Sequence, residues 1–366
     1  MQIVDSSANP CDHSGVGLVV YPLRGFPNAV ASLRNDAQSL HRFVVGSNEY
    51  STSNEIVVVD FDEDTRTSSV VAKVESLHPV QHLLDFSYAA DRLQFWLAQK
   101  DLDSNATYVK VVELDSCNNS KLDTINSVKL PKGTVKSISA DPFSVKQVDA
   151  KLAVVQPASI ALLKLTDSAI EIANRLDLKP PQSTGSLSNS FEEYRRRFIT
   201  GKFDPHHRDL FGCTIADRFE IYDWRQTSDH LVAVRNGCFH TGDVLDLDFN
   251  PNVPNEVVTV GEDAKNAFWD LRNTVKPLEV LDTGHKNCIQ YVKYNCFHDQ
   301  LILTGGPSST LLHLREGGNT TNIYKSAASS RDACWSTSDA WHFVALSDNK
   351  LVFDTIPASV KYKLLL

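Results

Sequence analysis

Apolar residues in this chain fall in short runs and not in helical stripes. RFVVGS (42–47), EIVVVDF (55–61), TYVKVVEL (107–114), KLAVVQ (151–156) and QLILTGG (300–306) have the length and β-branched content of strands. Asn, Asp, Ser, Gly and Pro bound them, residues that turn the chain. Few stretches hold an apolar 3.6-residue period over ten positions. SAIEIANRL (168–176) is ambiguous by pattern, and the spacing of its neighbours makes it a strand. The pattern predicts an all-β protein.

Sandwich, barrel and propeller all satisfy that pattern, and a repeat of about 40–45 residues selects the propeller. The clearest unit, HTGDVLDLDFNPNVPNEVVTVGEDAKNAFWDLR, starts at His240. In its first strand Leu245, Leu247 and Phe249 alternate with Asp246 and Asp248. A proline-containing turn, a second strand VVTV, a tight GED turn and a third strand NAFWD follow. This is the plan of a WD-repeat blade, in which His240, Thr259, Asp263 and Trp269 form one hydrogen-bonded chain inside the blade. Thr, His and Asp also invite a catalytic-triad reading, which the Trp in register argues against.

His285 lies 45 residues beyond His240 and opens the next unit with Gly284. Thr304 supplies its second-strand hydroxyl. Ser308 stands where the turn Asp belongs and Leu314 where the Trp belongs, so this polar chain is expected to be incomplete. One unit upstream, Asp217 and Tyr222-Asp223 replace the turn Asp and the WD pair. Seven blades are expected at roughly 26–75, 78–115, 133–176, 191–235, 240–282, 285–326 and 330–366, within a single domain spanning 17–366. Residues 1–16 read as a flexible N-terminus, and 180–190 as a surface loop. Either GLVVY (17–21) or the C-terminal segment closes the ring and removes an exposed edge.

Composition narrows the function. The 366 residues carry a formal charge of −9, and the one basic run, Arg195-Arg196-Arg197, follows Glu192-Glu193. Nucleic acid is therefore a poor partner. The first residues lack a basic, then apolar, leader, and no window approaches a membrane span, so direct membrane insertion is not expected. Seven scattered cysteines without CxxC spacing suit reduced thiols and a cytoplasmic location.

Chemical motifs are missing. Asp60, Asp62 and Asp64 begin like a calcium loop, but Thr65 occupies the turn position and Val71 the twelfth. His206 and His207 are adjacent and lack a third ligand at suitable spacing. Cys288, Cys296 and His298 are near in sequence without a catalytic pattern. No enzyme, no metal and no cofactor are expected.

LDLDFNPN (245–252), FWDLRN (268–273) and YNCFHDQLILTG (294–305) together resemble the EARP- and GARP-complex-interacting WD-repeat protein family. HRFVVGSN and NEIVVVDFDED (within 41–64), FDPHH (203–207) and IPASVKYKLLL (356–366) are similar to it as well. The likeness spans the chain and is strong over about 200–310 and at the C-terminus. It implies a seven-bladed scaffold, monomeric within a larger assembly, that binds tethering complexes of the trans-Golgi network and recycling endosomes. Endosome-to-Golgi retrieval, endocytic recycling and dense-core vesicle cargo sorting are the implied roles. The chain departs from the family in the short connection 314–332, which lacks a long acidic insertion, and in several lost WD pairs.

Candidate partner contacts are Asp246, Asp248 and Asn250 in the fifth blade, His298, Asp299 and Gln300 in the sixth, and Lys361, Tyr362, Leu365 and Leu366 in the tail. Each also has a plain structural reading: solvent-facing strand positions, a turn, and a closing strand respectively. Arg272 of WDLR (269–272) carries the alternative function, since Trp-Asp-x-Arg matches substrate receptors of a cullin–RING ubiquitin ligase.

Overall fold

The computed structural model describes residues 19–365 apart from 36, 38, 51–52, 88–91, 116–120, 145–148, 179–196, 227–232, 317–318 and 327. The expected flexible segment 1–16, the loop 180–190, most of the basic run and Leu366 lie outside the described residues.

Seven antiparallel sheets of four strands form a β-propeller. In blade one Pro27–Leu33, Leu40–Ser47, Asn54–Asp62 and Thr67–Ser76 run from the axis outward. Blade five repeats this with Val244–Phe249, Glu256–Gly261, Lys265–Asp270 and Glu279–Asp282. Blade six has Tyr291–Tyr294, Leu301–Gly305, Thr310–Glu316 and Asn319–Ser326. The first strand of each blade packs on the first strand of the next, and that of blade seven, Asp332–Trp335, returns to Pro27–Leu33. First-to-second and third-to-fourth connections of blades one to six therefore open on one face of the ring, the lower face.

Burial on both sides explains the continuous apolar runs. In Asn54–Asp62, Ile56 and Val58 pack toward blade two, while Val57, Val59 and Phe61 pack toward blade seven. Blade five does the same: Val257, Ala267 and Trp269 meet blade four, and Val258, Val260 and Phe268 meet blade six. A strand sandwiched between two sheets has no polar face to alternate with.

Val19–Pro22 pairs with Lys350–Thr355 and supplies the fourth strand of blade seven. The C-terminal segment is not a closing strand. Ala358–Leu365 is an α-helix that starts directly after Pro357 and packs Val360 against Leu314, Trp335 and Phe343. Blade two also extends past residue 115, because Leu122–Leu130 is its outer strand. That strand alternates Asp, Asn and Lys with apolar residues and is half exposed, so its sequence lacks the apolar run of an inner strand.

Candidate interaction surface

Blade five is built around Thr259. Its hydroxyl accepts the Trp269 indole N–H at 2.9 Å and lies 2.9 Å from His240 Nε2. His240 Nδ1 lies 2.9 Å from Asp263 Oδ1. Because Asp263 accepts, Nδ1 carries the proton, Nε2 accepts from Thr259, and the chain runs Trp269, Thr259, His240, Asp263. Asp263 also receives the Lys265 N–H and holds the turn in which Ala264 has φ 60°. All four side chains are buried or nearly so, and the arrangement contains no exposed nucleophile.

Blade six completes the same network with other residues. His285 follows Gly284, whose φ of 78° suits glycine. His285 Nε2 lies 2.9 Å from Thr304 Oγ1, and its Nδ1 lies 3.0 Å from Ser309 Oγ. Thr304 Oγ1 is 2.7 Å from His313 Nε2, and His313 Nδ1 is 2.6 Å from Asn322 Oδ1. The Asn322 amide in turn donates to the Thr283 carbonyl. Ser309 and His313, not Ser308 and Leu314, take the turn and third-strand roles. The third-strand shift follows from a hairpin one residue shorter: Thr259 pairs with Ala267, eight residues on, whereas Thr304 pairs with Leu311, seven on. Since Asn322 Oδ1 can only accept, His313 donates from Nδ1 and accepts at Nε2. The proton order therefore runs from Ser309 through His285, Thr304 and His313 to Asn322, opposite in sense to blade five.

Asp246 and Asp248 do not face outward. They line a central cavity of about 900 Å³ together with Lys202, Lys293 and Asp332. An innermost strand is a sheet edge with unpaired N–H groups. Asp246 accepts the Val292 N–H at 3.0 Å and Asp248 that of Tyr294 at 2.8 Å, so each caps the next blade's edge. Ser137 and Ser139 do this for Gly201 and Phe203, and Gln81 does it for Val135. Lys202 Nζ lies 2.8 Å from Asp248, and Lys293 Nζ 4.0 Å from Asp246. Burial alone would pull the Lys293 ammonium down; Asp246, Asp332 and Asp248 more than offset it and hold it above its ordinary value.

On the lower face, the family-like motifs latch neighbouring blades. Asn250 Oδ1 receives the N–H groups of Asn252 and Val253, closing an Asx turn. Asn250 and Asn252 donate from their amides to the two oxygens of Asp299, at 3.0 and 3.2 Å. Asn295 caps Phe297 and His298, then donates to the Ala340 carbonyl of blade seven at 2.7 Å. His298 stacks on Trp341, with ring centroids 5.0 Å apart. From FDPHH, His206 Nε2 lies 2.9 Å from the Asn250 carbonyl and His207 Nδ1 2.9 Å from Asp204. These two histidines are thus occupied as braces. Asn250 and Asp299 spend their polar atoms within the fold, while the Gln300 side chain is exposed.

Exposed apolar side chains gather around this latch. Val253 and Phe297 lie in first-to-second connections, and Val275 and Leu278 in the third-to-fourth connection of blade five. The C-terminal helix leaves the third strand of blade seven on the same face. Lys361 Nζ stands 5.6 Å over the Trp341 ring, and Lys363 pairs with Glu316. Tyr362 and Leu365 remain 69% and 66% exposed. Arg272 is 73% exposed but clamps its own Asp270, at 2.9 Å from Nε and 2.8 Å from a terminal nitrogen.

All five described cysteines are unpaired, and burial first of all raises each thiol above its ordinary value. No helix among the described residues is long and apolar enough to cross a membrane. One group of described residues could hold a metal: His41, Glu63, Asp339 and His342, at the seam of blades seven and one. Their separation in sequence gave no spacing to read.

The model of the EIPR1 beta-propeller family matches residues 17–314. Over 95% of this chain, EARP and GARP complex-interacting protein 1 of Rattus norvegicus is 26% identical, and 98% of that protein is covered. Its namesake in Homo sapiens is 25% identical over the same shares. EARP-interacting protein 1 of Caenorhabditis elegans is 24% identical over 66% of this chain and 73% of its own length.

Proposed function

The chain belongs to the EIPR1 beta-propeller family, and from that membership we propose that it is a non-enzymatic scaffold that binds EARP and GARP complexes. The supporting observation is the exposed apolar set on the lower face of blades five to seven, carried on blades latched through Asn250, Asn252 and Asp299. A rigid disc presents such a surface without an ordering cost on binding. Tyr362 and Leu365 of the C-terminal helix are the anchor side chains, with Phe297 and Leu278 completing the apolar footprint. Lys361 orients the helix by its contact with Trp341. Through these complexes the protein serves endosome-to-Golgi retrieval, endocytic recycling and dense-core vesicle cargo sorting. It is recruited from the cytoplasm to the trans-Golgi network and recycling endosomes without inserting into the bilayer.

The test is affinity purification of the full chain and of a Tyr362→Ala, Leu365→Asp variant. Deleting 356–366 is a poorer design, because Ile356 and Val360 are core residues. The wild type should recover EARP and GARP subunits, and the variant at least tenfold less, with an unchanged melting temperature. Equal recovery by both proteins removes the helix from the interface. Recovery of no tethering subunit by the wild type removes the function.

A further inference from the structure

Where the ring closes, four side chains distant in sequence converge on the lower face. His41 begins the second strand of blade one and Glu63 follows its third strand. Asp339 and His342 lie at the matching position of blade seven. One donor atom from each lies within 4.8 Å of all the others. The two imidazoles are 4.2 Å apart between centroids.

The hydrogen bonds leave a particular set of lone pairs. His342 Nδ1 is 2.7 Å from Asp339 Oδ2, which can only accept, so Nδ1 carries the proton and Nε2 is free. His41 Nδ1 lies 2.9 Å from the Ser336 hydroxyl. Its Nε2 has no hydrogen-bond partner although the side chain is fully buried. Both Nε2 atoms point to one carboxylate: His41 Nε2 is 3.9 Å from one Glu63 oxygen and His342 Nε2 3.7 Å from the other. An orphaned buried nitrogen needs an explanation, and with His41 donating from Nδ1 to the Ser336 hydroxyl both Nε2 atoms offer a lone pair to a cation beside the carboxylate.

We propose that His41 Nε2, His342 Nε2 and the Glu63 carboxylate bind a first-row divalent metal ion, zinc being the best fit. Two imidazole nitrogens and one carboxylate are a set that zinc takes with a fourth position left to water. Asp339 and Ser336 act as the outer partners that fix each ring through Nδ1, as ligating histidines ordinarily require. Donor pairs 3.7–3.9 Å apart close around an ion with metal–ligand bonds of about 2.0–2.2 Å after a small side-chain shift. Glu63 is half exposed, which gives the ion a path from solvent. The ion would tie blade one to the C-terminal strands of blade seven, which are otherwise joined to the N-terminal strand Val19–Pro22 by strand pairing alone.

Full-length protein stripped with a chelator and dialysed is titrated with zinc, and bound metal is measured by elemental analysis. One zinc per chain and a rise in melting temperature on adding zinc are expected. Glu63→Gln should lower zinc affinity more than a hundredfold, Asp339→Asn about 10–100-fold as an outer partner, and His78→Gln, in the connection from blade one to blade two, not at all. Far-UV circular dichroism and the metal-free melting temperature establish that each variant folds. Failure to bind zinc in the folded wild type overturns the proposal. So does a bound ion that survives both Glu63→Gln and His342→Gln, since it would then sit elsewhere.

Discussion

His313 Nε2 sits 2.7 Å from the Thr304 hydroxyl, as Trp269 Nε1 sits 2.9 Å from the hydroxyl of Thr259. A histidine has thus replaced the tryptophan of a WD blade and brought a titratable group into it. Burial lowers both His313 and His285 to about 4, against an ordinary value near 6.5. The unfolded chain takes up protons below about 6.5 that the folded rings refuse until near 4. Stability from this pair is therefore complete above 6.5 and is lost as pH falls from 6.5 toward 4, at roughly 1.4 kcal/mol per unit and ring. Denaturant unfolding between pH 7.5 and 4.5 checks it. His82 is lowered to about 4 by burial as well, so His313→Gln should remove one ring's share of the wild-type slope, about 1.4 kcal/mol per pH unit, and an unaltered slope would refute the assignment.

In the central cavity, Asp246 both caps the Val292 N–H and faces Lys293. Asp246→Leu removes the first of three carboxylates around the Lys293 ammonium and leaves an edge N–H without an acceptor, and should cost about 1–3 kcal/mol. Asp246→Asn keeps an acceptor oxygen and should cost clearly less. Urea midpoints of the two variants give the comparison. Equal losses would mean that the negative charge, and not the acceptor for the Val292 N–H, sets the role of this position.

The propeller was legible because each blade buries two faces and repeats its turn chemistry. Ile56–Val59 of EIVVVDF is apolar without alternation for that reason, and His240, Thr259, Asp263 and Trp269 keep their spacing. Blade six misled because one residue fewer in its hairpin moves the third-strand role from Leu314 to His313. Asp246 and Asp248 alternate like solvent-facing residues, and only ring closure reveals that their solvent is an inner cavity rimmed by the next blade's edge. The tail VKYKLL is too short to display a helical period, and its helix is set by Val360 packing between blades six and seven, a tertiary effect. His41 and His342 meet across the closing seam, beyond the reach of any local pattern.

The latch between blades five and six supplies another test. Asp299 receives both the Asn250 and Asn252 amides, so removing the carboxylate and removing one donor should not add. A double-mutant cycle of Asp299→Ala with Asn252→Ala should give a coupling of about 0.5–1.5 kcal/mol. Zero coupling would remove the Asn252–Asp299 contact as a structural reason for these motifs and return Asn252 and Asp299 to the partner surface.

Arg272 separates the scaffold from the ubiquitin-ligase receptor. Its guanidinium clamps Asp270, whose Oδ1 also receives the Arg272 N–H at 2.9 Å. Blade four repeats this in YDWR, where Arg225 clamps Asp223 and Asp223 receives the Arg225 N–H at 3.0 Å. The same device in adjacent blades, once with Trp-Asp and once with Tyr-Asp, reads as a way to end a third strand. Salt bridges between mobile side chains on the surface contribute little, so Arg272→Ala should leave the melting temperature unchanged. It should also leave recovery of tethering subunits unchanged while Tyr362→Ala, Leu365→Asp abolishes it. Purification of a cullin–RING adaptor with the wild type, lost in Arg272→Ala, would instead identify this arginine as a partner contact and favour the receptor function.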